Sequence, residues 1–435
     1  MAKTFRAWDV EQSWLLPPSV HELVPATHPA HFIRELVRTE LDLRAIYAAY
    51  DEERGYPPYH PAMMTALLLY AYTQGLFSSR KIARACDERV DVMAVTALQR
   101  PDFRTIGKFR VRHLPALAGL FVQVLRLCQR AGLVRLGHVA LDGTKVKANA
   151  SKHKAMSYGR MKEAEPKLAA EVQAWLDRSA AEDADDDAAL GEARGDELPA
   201  WVANRQDRLA KIRAAKAALE AETEAAAASE HDDDDAPPTS APPSHHVDGT
   251  PTDKAQRNFT DPESRILKTG DGYLQGYNAQ AAVDAHRQVI VAQFVVAAQN
   301  DAPYLPRVLD EIRGNTGRQT RELSADAGSC SEANLRTLAC RRVRGFVATG
   351  RQRHTDASAT GQRTRGLAAK MATRLRRGGH RSRDRLRKIV VEPVFGQIKR
   401  AMGFAGFLLR GLRKVTGEWA LVATAHDLRK LIAAG

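Results

Sequence analysis

Three acidic residues stand where a carboxylate could do chemistry. Asp142 follows the short apolar run His138–Leu141 within GHVALDGTKVKANA, and Asp326 follows Glu322–Ala325 within ELSADAGSC. Glu392 lies in KIVVEPVFGQIKR, beside Val390, Val391, Val394, Phe395 and Ile398. In open α/β sheets, functional groups gather at the ends of such strands. A carboxylate beside an apolar helix face is costly unless something pairs with it. Brought together, the three would repel one another and need a cation, and hard oxygen ligands select Mg²⁺, with Mn²⁺ as a substitute. Two such ions about 3.5–4 Å apart activate the attacking oxygen and stabilise the leaving one in an in-line displacement at phosphorus. That chemistry asks mainly positioning and charge balance of the protein. Taken singly, each acid has a plainer reading. Asp142–Gly143 is a common hairpin-turn dipeptide, Asp326 could cap a strand end or a helix, and Glu392 could be a solvated helix residue.

Cations accompany the acids. Lys399 comes seven residues after Glu392, two helical turns on and nearly on one face, where it could hold a DNA phosphate. It could equally be solvated or paired with Glu392. Lys145, Lys147 and Asn149 follow Asp142 and could line a DNA groove. Arg374, Arg376, Arg377, Arg381, Arg383, Arg385 and Arg387 crowd the approach to Glu392. Such a run is solvated by default, but near a phosphate site it adds salt-dependent affinity.

Patterning gives the elements that must position these groups. Apolar periodicity predicts helices over 31–51, 61–73, 80–86, 92–98 and 105–131, an all-helical region. Pro61 suits a first helical turn, and Gly75 and Gly132 suit helix ends. Arg80, Lys81 and Arg84 lie on a short helix that could present them to DNA as in a helix-turn-helix, or simply form a solvated basic face. From Gly137 the pattern changes to strands: 138–141 and 144–148 flanking an Asp-Gly turn, then 272–284, 288–297, 322–325 and 345–349. Helices are expected over 302–313, 331–340, from before Glu392 to about 402, and 416–432. Alternating strands and helices imply a mixed α/β layer. Residues 161–182 and 199–230 read as two helices rich in Ala, Glu, Lys and Leu, with mobile acidic or Pro-rich stretches at 183–196 and 231–253. Residues 351–383 read as basic and flexible.

The 435 residues allow two or three domains, and the formal charge of +13 suits a polyanionic partner. Charge is segregated: residues 351–435 hold 20 basic and 5 acidic residues, whereas 161–250 hold 9 basic and 22 acidic. The basic end can therefore face nucleic acid while the acidic middle stays clear of it. The four cysteines show no metal-ligand spacing and are expected to be free thiols. MAKTFRAWDVEQSW lacks the apolar core of a signal peptide, and the longest apolar stretch, 62–72, is too short to span a bilayer. A cytoplasmic protein with no membrane partner is expected. No Gly-rich phosphate loop or Ser/His/Asp spacing suggests a small-molecule enzyme.

Several stretches together resemble the DDE transposases of bacterial insertion sequences. They are HPAMMTALLLYAYTQGLFSSRKIARAC (60–86), RPDFRTIGKFR (100–110), LDGTKVKANAS (141–151), TDPESR (260–265), GYNAQAAVD (276–284), SADAGSCS (324–331), and VVEPVFGQIKRAMGF through FLLRGLRKVTGEWALVATAHDLRKL (390–431). The resemblance is to the branch with a helical N-terminal domain before an RNase H-like catalytic domain. It implies an RNase H-like mixed sheet flanked by helices, with a helical N-terminal domain at 1–132. The catalytic domain would comprise 133–154 and 256–435, interrupted by a helical, partly disordered insertion at 155–255. It implies Asp142, Asp326 and Glu392 as catalytic metal ligands and Lys399 as the basic residue after the Glu. Relatives often carry a Tyr and an Arg seven and four residues before that Glu; Arg385 and Lys388 stand there. Without the Tyr, no base-stacking role carries over, and Lys388 keeps the Arg charge but not its bidentate geometry. The implied activity is hydrolytic nicking at element ends, then attack of the freed 3′-hydroxyl on target DNA. Terminal inverted repeats would be the recognised DNA, bridged by a homo-oligomer. An inactive DNA-binding repressor and a hydrolysis-only nuclease remain alternatives.

Overall fold

The computed structural model describes residues 19, 22, 24–50, 58–187, 200–230, 246, 250–270, 272–297, 302–350, 366–379 and 382–434. Most of the expected mobile stretches fall on 188–199, 231–245 and 351–365, which, like 1–18, lie outside the described residues. The chain divides into two compact units: Met1–Leu133 with Arg400–Gly403 and Ala420–Gly435, and Val134–Lys399 with Phe404–Trp419.

The first unit is helical, as the periodicity predicts: α1 (Pro29–Thr39), α2 (Arg44–Tyr47), α3 (Pro61–Thr73), α4 (Ser79–Glu88), α5 (Val90–Thr96), α6 (Phe103–Arg112) and α7 (Leu114–Arg130). α3 is apolar nearly all round, and Met64 and Ala66–Tyr72 are all buried, so it is the core helix of this unit. Two expected helices break. The 31–51 run stops at Thr39 and resumes as the short α2. The 105–131 run splits at His113 with a bend of 73°, because Pro115 can occupy a first turn but not a helix interior. Among the described residues no single helix is long and apolar enough to cross a membrane.

The second unit is built on a mixed sheet with helices, the α/β class expected. Its strands are β1 (His138–Lys147), β4 (Arg265–Thr269), β5 (Gly272–Asp284), β6 (Ile290–Val296), β7 (Glu322–Ala325) and β8 (Arg344–Val347). The order is β4-β5-β1-β7-β8, with β6 also on β5. β5 runs antiparallel to β1, β4 and β6, whereas β7 is parallel to β1 and β8 parallel to β7. α10 (Leu305–Thr316), α11 (Glu332–Cys340), α12 (Gly366–Gly378) and α13 (Leu386–Gly396) follow in chain order, and α14 (Leu412–Ile432) ends the chain's regular structure.

Between β1 and β4 lie β2 (Ala155–Ser157), α8 (Tyr158–Asp187), α9 (Ala200–Glu230) and β3 (Gln256–Asn258). α8 and α9 close on a small core of their own, with Tyr158, Met161, Ile212 and Leu219 at its centre. β2 and β3 pair antiparallel at its base. Neither these two strands nor β4 is evident from hydrophobic pattern, because QRN and RILKT carry too few apolar residues.

Two expectations are corrected. Asp142–Gly143 is not a turn: β1 runs straight through it, Asp142 opposite Ala281 and Gly143 opposite Gln280. Pairing with β5 extends from Val139 to Lys147, so the ladder overrides the local turn preference of Asp-Gly. Residues 366–378 are not flexible but form α12. Glu332 caps its start by accepting from the amides of Leu367 and Ala368, each at 3.0 Å, and Ala368 and Met371 are buried.

The β1–β5 ladder needs a glycine at 276. A Cβ there would run into the backbone carbonyl of Val146, an atom that cannot move without shifting β1. Gly276→Ala is expected to lower the unfolding free energy by about 2 kcal/mol, the usual scale for overpacking. Denaturant unfolding measures it, and a variant as stable as the parent would contradict this close approach.

Candidate active site

Strand pairing leads towards two of the acids. β1 and β7 are parallel, with His138 opposite Glu322 and Ala140 opposite Ser324. The pairing ends there; two residues further along the chain come Asp142, still on β1, and Asp326, the first residue past β7, and the Asp326 charge is felt at Asp142. β7 ends at Ala325, and Asp326 opens a 3₁₀ turn, its Oδ1 accepting from the Ser329 amide and hydroxyl at 3.2 Å each. Asp326 is thus a capping residue, as one expectation had it, and the cap also fixes its carboxylate at the strand end.

Glu392 comes from α13. Val390, Val391, Val394 and Phe395 bury one side of this helix, against β1 and β5. Trp419, itself fully buried, stands 6.5 Å from Phe395 and donates its indole N–H to the Gln280 carbonyl at 3.1 Å. Glu392 points away from that packing, with 46% of its side chain exposed. Pro393 sits inside the helix and has no N–H to give the carbonyl of Ile389. Gln288, at the β5–β6 turn, supplies the missing donor: its Nε2 lies 3.1 Å from that oxygen, while its Oε1 accepts from Gln397 at 3.1 Å. After Gly396 the helix loosens into a π-turn over Gln397–Ala401.

Arg387 joins the acids, although in the sequence it is only one member of a basic run. Its Nη1 is 2.6 Å from Asp142 Oδ2 and its Nη2 3.6 Å from Glu392 Oε1. Asp142 also accepts from the Gly143 amide at 3.0 Å. Burial pushes the Asp142 carboxyl up to about 6; the charges of Asp326 and Glu392 add to the rise, and Arg387 and the Gly143 amide oppose it. One signal for Arg387 is present in the sequence: of the arginines that precede Glu392, it is the nearest. One turn earlier Arg383 pairs with Glu322, which is also 3.3 Å from His138 Nδ1 and 3.6 Å from Arg344. His138 Nε2 in turn meets Ser324 Oγ at 3.0 Å. Two arginines one turn apart, leading into α13, thus grip successive acids along one face of β1 and β7.

The expected cations are distributed unevenly. Lys399 does not pair with Glu392. Its Nζ donates to Thr144 Oγ1 at 2.6 Å and to the Lys145 carbonyl at 2.9 Å, fastening the π-turn to β1 just past Asp142. Although much of its side chain is exposed, desolvation of the ammonium holds its pKa below the usual lysine value. Lys145 and Lys147 alternate to the other face of β1 from Asp142, and Lys145 donates to the Lys268 carbonyl. Asn149 donates to the Leu408 carbonyl at 2.7 Å and accepts from Arg410 on its own carbonyl at 2.9 Å. Arg385 and Lys388 are exposed at the head of α13. Arg80, Lys81 and Arg84 are exposed on α4 in the first unit; Arg80 lies 5.2 Å from the Phe103 ring centre and Arg84 pairs with Glu88 at 2.6 Å.

By its chemistry, an all-oxygen set of three carboxylates, two of which raise the proton affinity of Asp142, suits a hard divalent cation. Among the described residues no group of three or more His, Cys, Asp or Glu side chains is placed to hold a metal ion; a guanidinium reaches both Asp142 and Glu392 instead.

Two family comparisons match the chain: Transposase domain (DUF772) over residues 18–112, and Transposase DDE domain over residues 244–428. The chain belongs to the DDE transposases of insertion sequences, enzymes that transpose DNA and generally use divalent metal ions. Asp326 and Glu392 fall within the matched DDE region, whereas Asp142 precedes it and is tied to it through the register of β1 with β5 and β7. Neither curated proteins nor solved structures gave a match.

The His138 cluster lends itself to a pH test. Burial holds the His138 imidazole below its ordinary value of 6.5, against the opposing pull of Glu322. A depressed histidine contributes stability that is present above the unfolded value and lost as pH falls through the folded one. Wild type is therefore expected to lose more stability than His138→Gln between about pH 7.5 and pH 5. Thermal unfolding at the two pH values reads this, and parallel losses would show that His138 does not set the pH dependence.

Proposed function

We propose that this transposase cuts DNA at the ends of its element and joins the freed 3′-hydroxyl to target DNA, with Asp142, Asp326 and Glu392 as metal ligands. What supports the reading is that one guanidinium, Arg387, reaches both Asp142 and Glu392, and that the Asp326 and Glu392 charges both bear on Asp142. The catalytic fold is RNase H-like: an antiparallel β6-β5-β1 trio extended by parallel β7 and β8 supports this. On this reading the α8–α9 hairpin is an insertion between the first catalytic strand and the rest of the sheet.

Two Mg²⁺ ions, or Mn²⁺ in their place, would activate the attacking oxygen and neutralise charge on the leaving one. The protein's own residues do the positioning. Asp142 and Asp326 present carboxylates from adjacent strand tracks, Glu392 presents one from α13, and Lys399 holds the end of that helical stretch on β1. Arg385 and Lys388, exposed at the head of α13, take DNA phosphates. Arg80, Lys81 and Arg84 offer a separate surface for the terminal inverted repeat, and Lys145 and Lys147 on the other face of β1, with Asn149 just past its end, line a further part of the DNA path. Neutralising any one of these phosphate-binding cations should flatten the salt dependence of DNA binding. The protein acts in the cytoplasm, as a homo-oligomer that bridges two element ends.

Asp142→Asn, Asp326→Asn and Glu392→Gln are each expected to reduce strand cleavage by about a thousandfold, the scale for removing a main electrostatic contributor to a transition state. DNA binding should change little. A plasmid bearing both element ends, assayed for nicked and strand-joined products, reads both steps. Undiminished nicking by Glu392→Gln would refute the ligand assignment, and nicks without joined products would leave a hydrolytic nuclease.

A further inference from the structure

Arg387 is well placed to do more than brace a helix. Only 23% of its side chain is exposed, and 14% of that of Asp142, so their pairing is largely sheltered from water. An arginine does not give up its proton at any working pH, so the charge it brings is permanent. It links the first turn of α13 to the middle of β1, which are separate pieces of the chain, and reaches Glu392 on the same helix. Without it, the sheltered Asp142 carboxylate would meet the charges of Asp326 and Glu392 with only the Gly143 amide to offset them.

A divalent ion binding Asp142 at about 2 Å would sit within a few ångströms of this guanidinium. Two cations that close repel strongly where water is scarce. An ion on Asp142 would therefore compete with Arg387 for the same carboxylate.

We propose that Arg387 is a positioning residue that acts as a built-in counter-ion, holding Asp142 and Glu392 together before metal enters and withdrawing from Asp142 when a divalent cation binds. This rests on the reading of Asp142 and Glu392 as metal ligands. A merely structural brace would behave in the opposite sense. Removing a brace loosens the ligands and weakens metal binding; removing a competitor tightens it.

Mn²⁺ binding to the full-length protein without DNA tests this, read from the electron paramagnetic resonance signal of free Mn²⁺. Arg387→Gln is expected to bind Mn²⁺ about tenfold more tightly than wild type, the equivalent of one charged hydrogen bond no longer to be broken. Its melting temperature should be lower without metal and should rise further on adding Mn²⁺. Arg387→Lys keeps the charge but reaches a single carboxylate, so it should tighten binding by a smaller factor; it carries the test if the Gln variant does not fold. Asp142→Asn should lose the tight Mn²⁺ site. If Asp142→Asn loses the site but neither Arg387 variant binds more tightly, the counter-ion role is overturned while the ligand assignment stands. If Asp142→Asn binds Mn²⁺ like wild type, the ligand assignment itself fails and the role of Arg387 with it.

Discussion

Like charges gathered at one edge of a sheet are the constraint on which the catalytic unit depends. β1 carries Asp142, Asp326 follows the end of its parallel neighbour β7, and α13 adds Glu392. Burial raises the cost of the Asp142 charge, and the neighbouring acids add to it. Such a cluster persists only if a cation answers it, and Arg387 answers it from within the chain. The need for positive charge at this point is a property of the fold as well as of the chemistry.

Much of the surrounding structure serves to hold α13 against that edge. Pro393 deprives Ile389 of a helical partner, and Gln288 from the β5–β6 turn takes its place. Arg383 fastens the helix start to Glu322 and, through it, to His138. Lys399 fastens the π-turn beyond the helix to Thr144 and Lys145. Trp419 closes the rear against Phe395 and the β5 backbone. Interactions before, within and after the helix thus converge on the placement of one exposed glutamate.

The acids are legible in the sequence because strand ends and an apolar helix face are local patterns. Their convergence is not, since register between β1 and β7 is set by pairing across 184 positions. Asp142–Gly143 misleads for the same reason: its local turn preference yields to a ladder with β5 that no short window contains. Lys399 falls on the expected stretch but takes a different partner, because the π-turn breaks the seven-residue spacing to Glu392. Arg387 is hidden by its company, one arginine in a basic run. The strands β2, β3 and β4 leave no hydrophobic trace, and the helix α12 is masked by its basic composition.

Anomalous diffraction from a crystal of the protein with Mn²⁺ and a DNA end tests the metal-ligand assignment most directly. We expect Mn²⁺ peaks bound by Asp142, Asp326 and Glu392, with the Arg387 guanidinium moved off Asp142. Mn²⁺ held by other side chains would contradict it, whereas Arg387 still paired with Asp142 beside a bound ion would overturn the counter-ion role alone.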